Sequence, residues 1–432
     1  MARRAKIRPL ALRRMAAHHA ITLFLLVGLL ASVPVTRGDA ARSAGAQQNQ
    51  LVVGALLDLS RGWTSLGRAS RVTLRLAAAD ANVTLARRGS PLRVELRIVD
   101  AEGEPPVALR QLRRLAAAGV HVVVGPQKSS EVAAVRRAAT KLGVVIISQG
   151  STAHSLAVAG DNVLRFVPDD VREGEAVVAL MRLHGIDAIV PVWRRDAGNA
   201  GLAGSVRRQF VALGGRASKG VPYAPKTSTF KGVVSSISGQ AAQLRAAGAK
   251  HVGVYLAAFD EVVDLFHAAR SESTLQLPWY GSDGVALTTR LLDDRSAAAF
   301  AHSVGYPNPI VGLSDSLVKR SRPLVARVRR RLGRDPDAFA LTAYDALRIV
   351  VDARQRAGTS EGGRFRRAVV AAARAHVGVT GRMTLNRAGD RAYGNFDFWS
   401  VCPAQAKFRW VRTFEYAARR PGSGRIMTRA HC

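Results

Sequence analysis

Cysteine is nearly absent, with two residues in 432, Cys402 and Cys432. Two thiols cannot build a disulfide scaffold or a cysteine-built zinc site. Acidic residues are also scarce, 31 against 64 basic ones, which leaves a formal net charge of +33. Lysine is rarer still: nine lysines accompany 55 arginines, scattered among abundant Ala and Gly. Nucleic-acid readers gather cations among stacking aromatics. The densest internal basic cluster, Lys319 to Arg334, contains no aromatic residue. The arginine excess therefore reads as the compositional bias of a GC-rich coding sequence, and no nucleic-acid partner is expected. Signatures of catalysis are missing too. There is no G-x-x-x-x-G-K-[ST] or G-x-G-x-x-G loop to cradle phosphate, and no H-E-x-x-H spacing to hold a metal. Gly358-Thr359-Ser360-Glu361-Gly362 matches G-x-S-x-G, but it follows a helix, whereas a nucleophile elbow needs a strand before it. No acid, base and nucleophile set emerges, so the chain is expected to be neither an enzyme nor a cofactor or metal carrier.

What is present begins with the N-terminus. Arg3, Arg4, Lys6, Arg8, Arg13 and Arg14 precede an apolar run, Ala20 to Val35, and Ala44-Gly45-Ala46 follows as an A-x-A cleavage pattern. Residues 1–46 read as a secretory signal peptide or a retained N-terminal anchor. The 16-residue run falls short of the roughly 20 needed to span a bilayer. No cysteine follows it, which excludes lipid attachment there. Export would place Cys402 and Cys432 in an oxidising compartment, where they either pair or stay as free thiols. From Arg412 onward, with Pro421-Gly422-Ser423-Gly424, the chain reads as a loose tail.

From Leu51 short β-rich apolar runs alternate with longer helical stretches, the pattern of parallel sheets covered by helices on both faces. Strands are expected at Leu51 to Leu57, Leu92 to Val99, Val120 to Val124 and Val144 to Ser148, with helices between them. A second series follows Val167-Pro168, with strands at Ile186 to Val192 and His251 to Leu256. The helices at Ser316 to Leu332 and Asp337 to Arg356 have no sheet of their own and are expected to return to the first lobe.

Open α/β sheets bind ligands beyond the carboxyl ends of their strands. Three polar segments fall there. Gly125-Pro126-Gln127-Lys128-Ser129-Ser130 runs from strand into helix, so that Ser129 or Ser130, the backbone N–H groups and the helix dipole can face an anion such as a carboxylate. Ser148-Gln149-Gly150-Ser151-Thr152 offers hydroxyls and amides at the same sheet edge. Gly281-Ser282-Asp283-Gly284 places a lone carboxylate on a turn of the second lobe, suited to an ammonium group; the first segment taken alone reads more readily as an ordinary N-cap, and the other two are equally consistent with ordinary turns.

These segments, with Leu164-Arg165-Phe166-Val167-Pro168, Thr342-Ala343-Tyr344-Asp345-Ala346 and Gly378-Val379-Thr380-Gly381-Arg382-Met383 in the same order, resemble the type I periplasmic binding proteins, and most closely their leucine/isoleucine/valine-binding subgroup. The resemblance covers about Leu51 to Arg412. It implies an α/β fold of two αβα Rossmann-like lobes joined by three hinge crossovers, near Val167-Pro168, Tyr306-Pro307 and Gly381-Arg382. Lobe 1 would then comprise 47–167 and 308–380, lobe 2 168–307 and 381–412, with a basic tail at 413–432. The implied function is an extracytoplasmic solute-binding protein that closes on an amino-acid-like solute and delivers it to an ABC permease in the membrane. A sensing module of the same fold, or a hydrolase or amidase, are the alternatives. By the same resemblance Ser129, Gly150, Ser151 and Thr152 would hold the ligand carboxylate, with Ser130 beside them. Asp283 would meet the ammonium, and Trp63 and Phe259 would flank the ligand. Gly198 stands where the family has an aromatic residue, a departure expected to widen the pocket or change its ligand.

Overall fold

The computed structural model describes residues 49–313, 315–405 and 407–432. The signal-like segment and its apolar run lie outside the described residues. In chain order the first series is β1 (Gln50–Leu57), α1 (Thr64–Arg87), β2 (Arg93–Asp100), α2 (Pro105–Ala117), β3 (Val122–Val124), α3 (Ser129–Lys141), β4 (Val145–Ser148) and β5 (Val163–Pro168). The second is α4 (Asp170–Leu183), β6 (Ala188–Arg194), α5 (Ala197–Ala212), β7 (Arg216–Ala217), β8 (Val221–Tyr223), α6 (Lys231–Ala246), β9 (Val252–Ala257), α7 (Val262–Ala269), β10 (Trp279–Tyr280), α8 (Thr289–Asp293) and α9 (Arg295–Ser303). The chain then continues through β11 (Asn308–Gly312), α10 (Asp315–Leu332), α11 (Ala338–Ala357), α12 (Gly362–Ala375), β12 (Val377–Gly378), β13 (Gly381–Arg382), β14 (Asp390–Arg391), β15 (Asn395–Ala404), β16 (Lys407–Ala417) and β17 (Arg425–Thr428).

The first lobe is one parallel sheet in the order β14-β5-β4-β3-β1-β2. A parallel sheet covered on both faces needs apolar residues at consecutive positions, and Val122, Val123 and Val124 are all fully buried. The two-residue period of a strand then divides them between two layers. Leu51, Val53, Ala55, Val124 and Ile147 pack with α1, α11 and α12. Leu56, Val123 and Ile146 pack on the other side with Leu112 of α2 and Val135 of α3. The long helices after β11 thus return to the first lobe. Their ends are set locally: Asp337 caps α11 by accepting the N–H of Ala340 at 2.9 Å, and Gly358 closes it in the left-handed conformation that glycine adopts without a steric penalty.

The second lobe has a smaller parallel sheet, β10-β9-β6, with β7 and β8 both on the far edge of β6. Antiparallel β11-β15-β16-β17 packs beside it, Phe396, Phe398 and Ile310 joining Tyr255 and Tyr280 in one apolar cluster.

Two expectations change. Gly381–Arg382 does not cross between lobes but folds back on Val377–Gly378 as a short antiparallel pair. Asp390–Arg391 then adds to the first sheet beside β5, so the last crossover follows Arg391 and the first lobe extends past residue 380. A buried bidentate pair fixes that edge: Arg165 Nε and Nη2 donate to Asp390 Oδ1 and Oδ2 at 2.7 and 2.5 Å. The segment 413–432 is not a loose tail. β16 runs to Ala417, Arg425–Thr428 pairs with it, and a Cys402–Cys432 disulfide fastens the chain end to β15. Among the described residues no helix is long and apolar enough to cross a membrane.

Candidate functional site

The turns after β3 and β4 meet the turns after β9 and β10 around a cavity of about 20 Å³, room for about one water molecule. Trp63, Lys128, Ser129, Gly150 and Thr152 line it from the first lobe, and Gly198, Asn199, Leu202, Phe259 and Asp283 from the second.

On the first wall, Ser129 opens α3. Its Oγ lies 3.0 Å from Ser151 Oγ and accepts the N–H of Ala153 at 3.2 Å. Ser148 Oγ donates to Pro126 O at 2.6 Å and accepts from Ser151 N at 3.0 Å, which pins the two turns together. The positive end of the α3 dipole adds to these donors. Lys128, just before the helix, is buried with its ammonium 3.2 Å from the buried Asp58 carboxylate. Ser151 lies behind Ser129 rather than on the cavity wall. Ser130 is half-buried and also off the wall, because one step along a helix turns a side chain through about 100°.

The second wall carries one acid, Asp283, with two more buried behind it. Asp283 is buried, and its N–H donates to Glu173 Oε1 at 3.1 Å. Glu173 and Asp170, both fully buried, stand on the first turn of α4. Burial, then the negative charge of Asp170, pushes the Asp283 carboxyl up to about 8. Burial takes Asp170 to about 7. Glu173 is raised well above the usual range by burial and then by the charge of Asp283, and its Oε2 has no hydrogen-bond partner. The three carboxyls therefore resist ionising together. Among the described residues no group of three or more His, Cys, Asp and Glu is arranged to hold a metal ion.

The lobes touch across the cavity. Trp63 Nε1 donates to Gly284 O at 2.7 Å, and its ring meets Phe259 edge-on with centroids 5.0 Å apart. Asp170 N donates to Thr152 O at 2.9 Å. Gly284 has to be glycine, since a Cβ there would fall 2.3 Å from Ala258 O. Gly198 faces Ser129 across the cavity, where an added Cβ would sit 3.4 Å from Ser129 Oγ.

Of the residues singled out in the sequence, the structure brings Trp63, Ser129, Gly150, Thr152, Phe259 and Asp283 to one cavity, with Ser151 supporting Ser129 and Ser130 turned aside. Sequence reasoning missed Lys128, Asn199, Leu202, Asp170 and Glu173. Lys128 lay inside a segment already chosen, whereas Asp170 and Glu173 carried only the ordinary look of acids at a helix N-terminus.

Comparison with known proteins agrees with this architecture. Residues 50–401 match the family described as periplasmic binding protein. An uncharacterized protein of Methanocaldococcus jannaschii is 25% identical over 398 residues, 87% of this chain and 93% of its own. Among solved structures, the leucine-binding protein of Thermotoga maritima superposes with a TM-score of 0.67 at 18% identity, over 84% of this chain and 97% of that one. A Streptococcus pneumoniae branched-chain amino acid transporter substrate-binding protein, in complex with isoleucine, gives 0.68 at 18% identity, over 84% and 100%. A solute-binding protein of R. palustris in complex with benzoate gives 0.66 at 20%, over 84% and 96%.

Proposed function

The chain belongs to the periplasmic binding protein family, with the two-lobed type I fold, and from that premise we propose that it is the extracytoplasmic solute-binding component of an ABC importer whose ligand is a small zwitterion, an amino acid or a close analogue. The observation that carries this reading is the contrast between the facing walls: hydroxyls, amides and a helix N-terminus on one, and on the other the buried Asp283 carboxyl backed by Glu173 and Asp170. A carboxylate suits the first wall and an ammonium the second.

The ligand would dock on the first lobe while the lobes are apart. Closure brings Asp283 to the ammonium, Trp63 to Gly284 O and Thr152 O to Asp170 N, and the closed form gains population by its greater affinity for the ligand. A membrane permease would then receive the closed complex. Proteins of this fold are known in complex with isoleucine and with benzoate, and the buried Asp283 carboxyl favours the amino-acid class here. A plain aromatic acid brings no cation to Asp283 and the carboxyls behind it, whereas an amino acid does.

A thermal-shift screen over amino acids, amides, urea and carboxylic acids tests the reading, because a ligand of the folded state raises the melting temperature. Stabilisation by one or a few amino acids is expected. A protein that no amino acid stabilises, or that benzoate stabilises as strongly as any of them, contradicts it.

A further inference from the structure

A larger cavity, about 1120 Å³, lies beside the last crossover, between the Thr380–Arg382 and Arg391–Asn395 segments and the terminal β16–β17 hairpin. Its lining contains Arg382, Arg391, Arg419, Arg420, Arg425 and Arg429. Glu415 is the one acid among the described residues that line it, and it is committed: Arg412 and Arg429 both donate to its Oε2. Arginine is abundant everywhere in this chain, so a surface gathering alone would signify composition. Arg391 separates the two explanations. It is 8% exposed, its Nη2 donates to Thr380 O at 2.6 Å, and among the described residues its Nε and Nη1 have no acceptor. Leaving two N–H groups of a buried guanidinium unsatisfied is costly unless an acceptor is supplied. Asp345 lends Arg391 its charge but no hydrogen bond, since that carboxylate accepts from Val379 N, Thr380 N and Thr380 Oγ1. Burial lowers the Arg391 pKa from its ordinary value, the same unfavourable solvation in another form.

We propose that this cavity is a second ligand site, for a phosphate-type oxyanion, with Arg391 as its buried anchor and the arginines of the terminal hairpin as its outer ring. Guanidinium groups pair with such oxyanions through parallel N–H···O bonds, and an acceptor at Nε and Nη1 supplies what Arg391 lacks. An anion seated there touches both the final crossover and the hairpin fastened by the disulfide. The site stands apart from the cleft, and its test does not depend on the cleft's ligand.

Isothermal titration of the protein with inorganic phosphate, at ionic strength held constant with sodium chloride, should show saturable one-site binding. Arg391→Met should weaken it at least tenfold. Arg420→Gln with Arg425→Gln, on the exposed hairpin where folding is not at stake, should weaken it several-fold and flatten its salt dependence. Co-sedimentation with phosphatidylcholine vesicles, with and without phosphatidylglycerol, identifies the source of the phosphate. Retention by the anionic vesicles alone, lost in the same variants, assigns a lipid headgroup; phosphate binding without vesicle retention assigns a free solute. Absence of both kinds of binding, or binding that neither set of substitutions alters, overturns the proposal.

Discussion

On the first lobe, Ser129 and Lys128 on the wall and Ser148 and Ser151 behind it each have a partner already: another hydroxyl, a backbone group or the Asp58 carboxylate. The wall supplied by the second lobe is the reverse, with Asp283, Glu173 and Asp170 buried beside one another, Glu173 Oε2 unpaired and their protons held to unusually high pH. The first wall is preorganised, so a carboxylate meets donors that need little rearrangement. The second is electrostatically costly until a cation arrives. Affinity for a zwitterion should therefore come mainly from the second wall, and selection of a particular carboxylate geometry from the first.

The difference is most sharply broken at Asp283. Asp283→Ala should cost the ammonium pair about 2–5 kcal/mol, which titration calorimetry would read as a loss of about 30-fold to several thousand-fold in amino-acid affinity. Unchanged affinity would remove Asp283 from the site.

pH separates the walls without mutation. A bound ammonium favours the ionised carboxyl, so binding should release a proton and affinity should rise between pH 6 and 8, by up to about tenfold per unit for one linked proton. The unliganded protein should show the opposite trend. Because the folded-state pKa of Asp283 is raised from 3.8 to about 8, its contribution to stability is present below pH 3.8 and is lost as pH rises toward 8. The ligand-induced rise in melting temperature should thus grow with pH, and Asp283→Asn should flatten both trends. A pH-independent affinity would contradict the acidic wall's role.

Ser129→Ala takes one acceptor from Ala153 and one hydroxyl from the ligand. A cost of about 1–2 kcal/mol corresponds to roughly tenfold weaker binding, smaller than for Asp283 and with no change in the pH profile. Trp63→Phe removes the N–H donated across the lobes to Gly284 O and part of a buried ring, so about 1–3 kcal/mol, read by stopped-flow as faster ligand release with the association rate little altered.

Much of this was legible in the chain because the β-branched runs, Val122–Val124 above all, name buried parallel strands, and strand ends in such sheets locate the site. Ser129, Gly150 and Asp283 followed from that topology. Asp170 and Glu173 were not legible, since their first-turn position suits any helix N-terminus; only the crossover after Pro168 turns them under the cavity. The last crossover was misplaced because Asp390–Arg391 is a two-residue strand with no apolar run, held by the distant Arg165. The final strand escaped notice for a similar reason: Arg-Ile-Met-Thr has no alternating face, and it is secured by pairing with β16 and by a disulfide at its end.

The most direct test takes the amino acid that stabilises the protein best in a twenty-member panel and titrates it by calorimetry against its des-amino counterpart, the same carboxylate with the same side chain and no ammonium. At pH 8 the amino acid should bind and its des-amino counterpart should bind at least 30-fold more weakly, with that gap abolished in Asp283→Asn. Equal affinity for the two would mean that the buried carboxyls do not receive a cation.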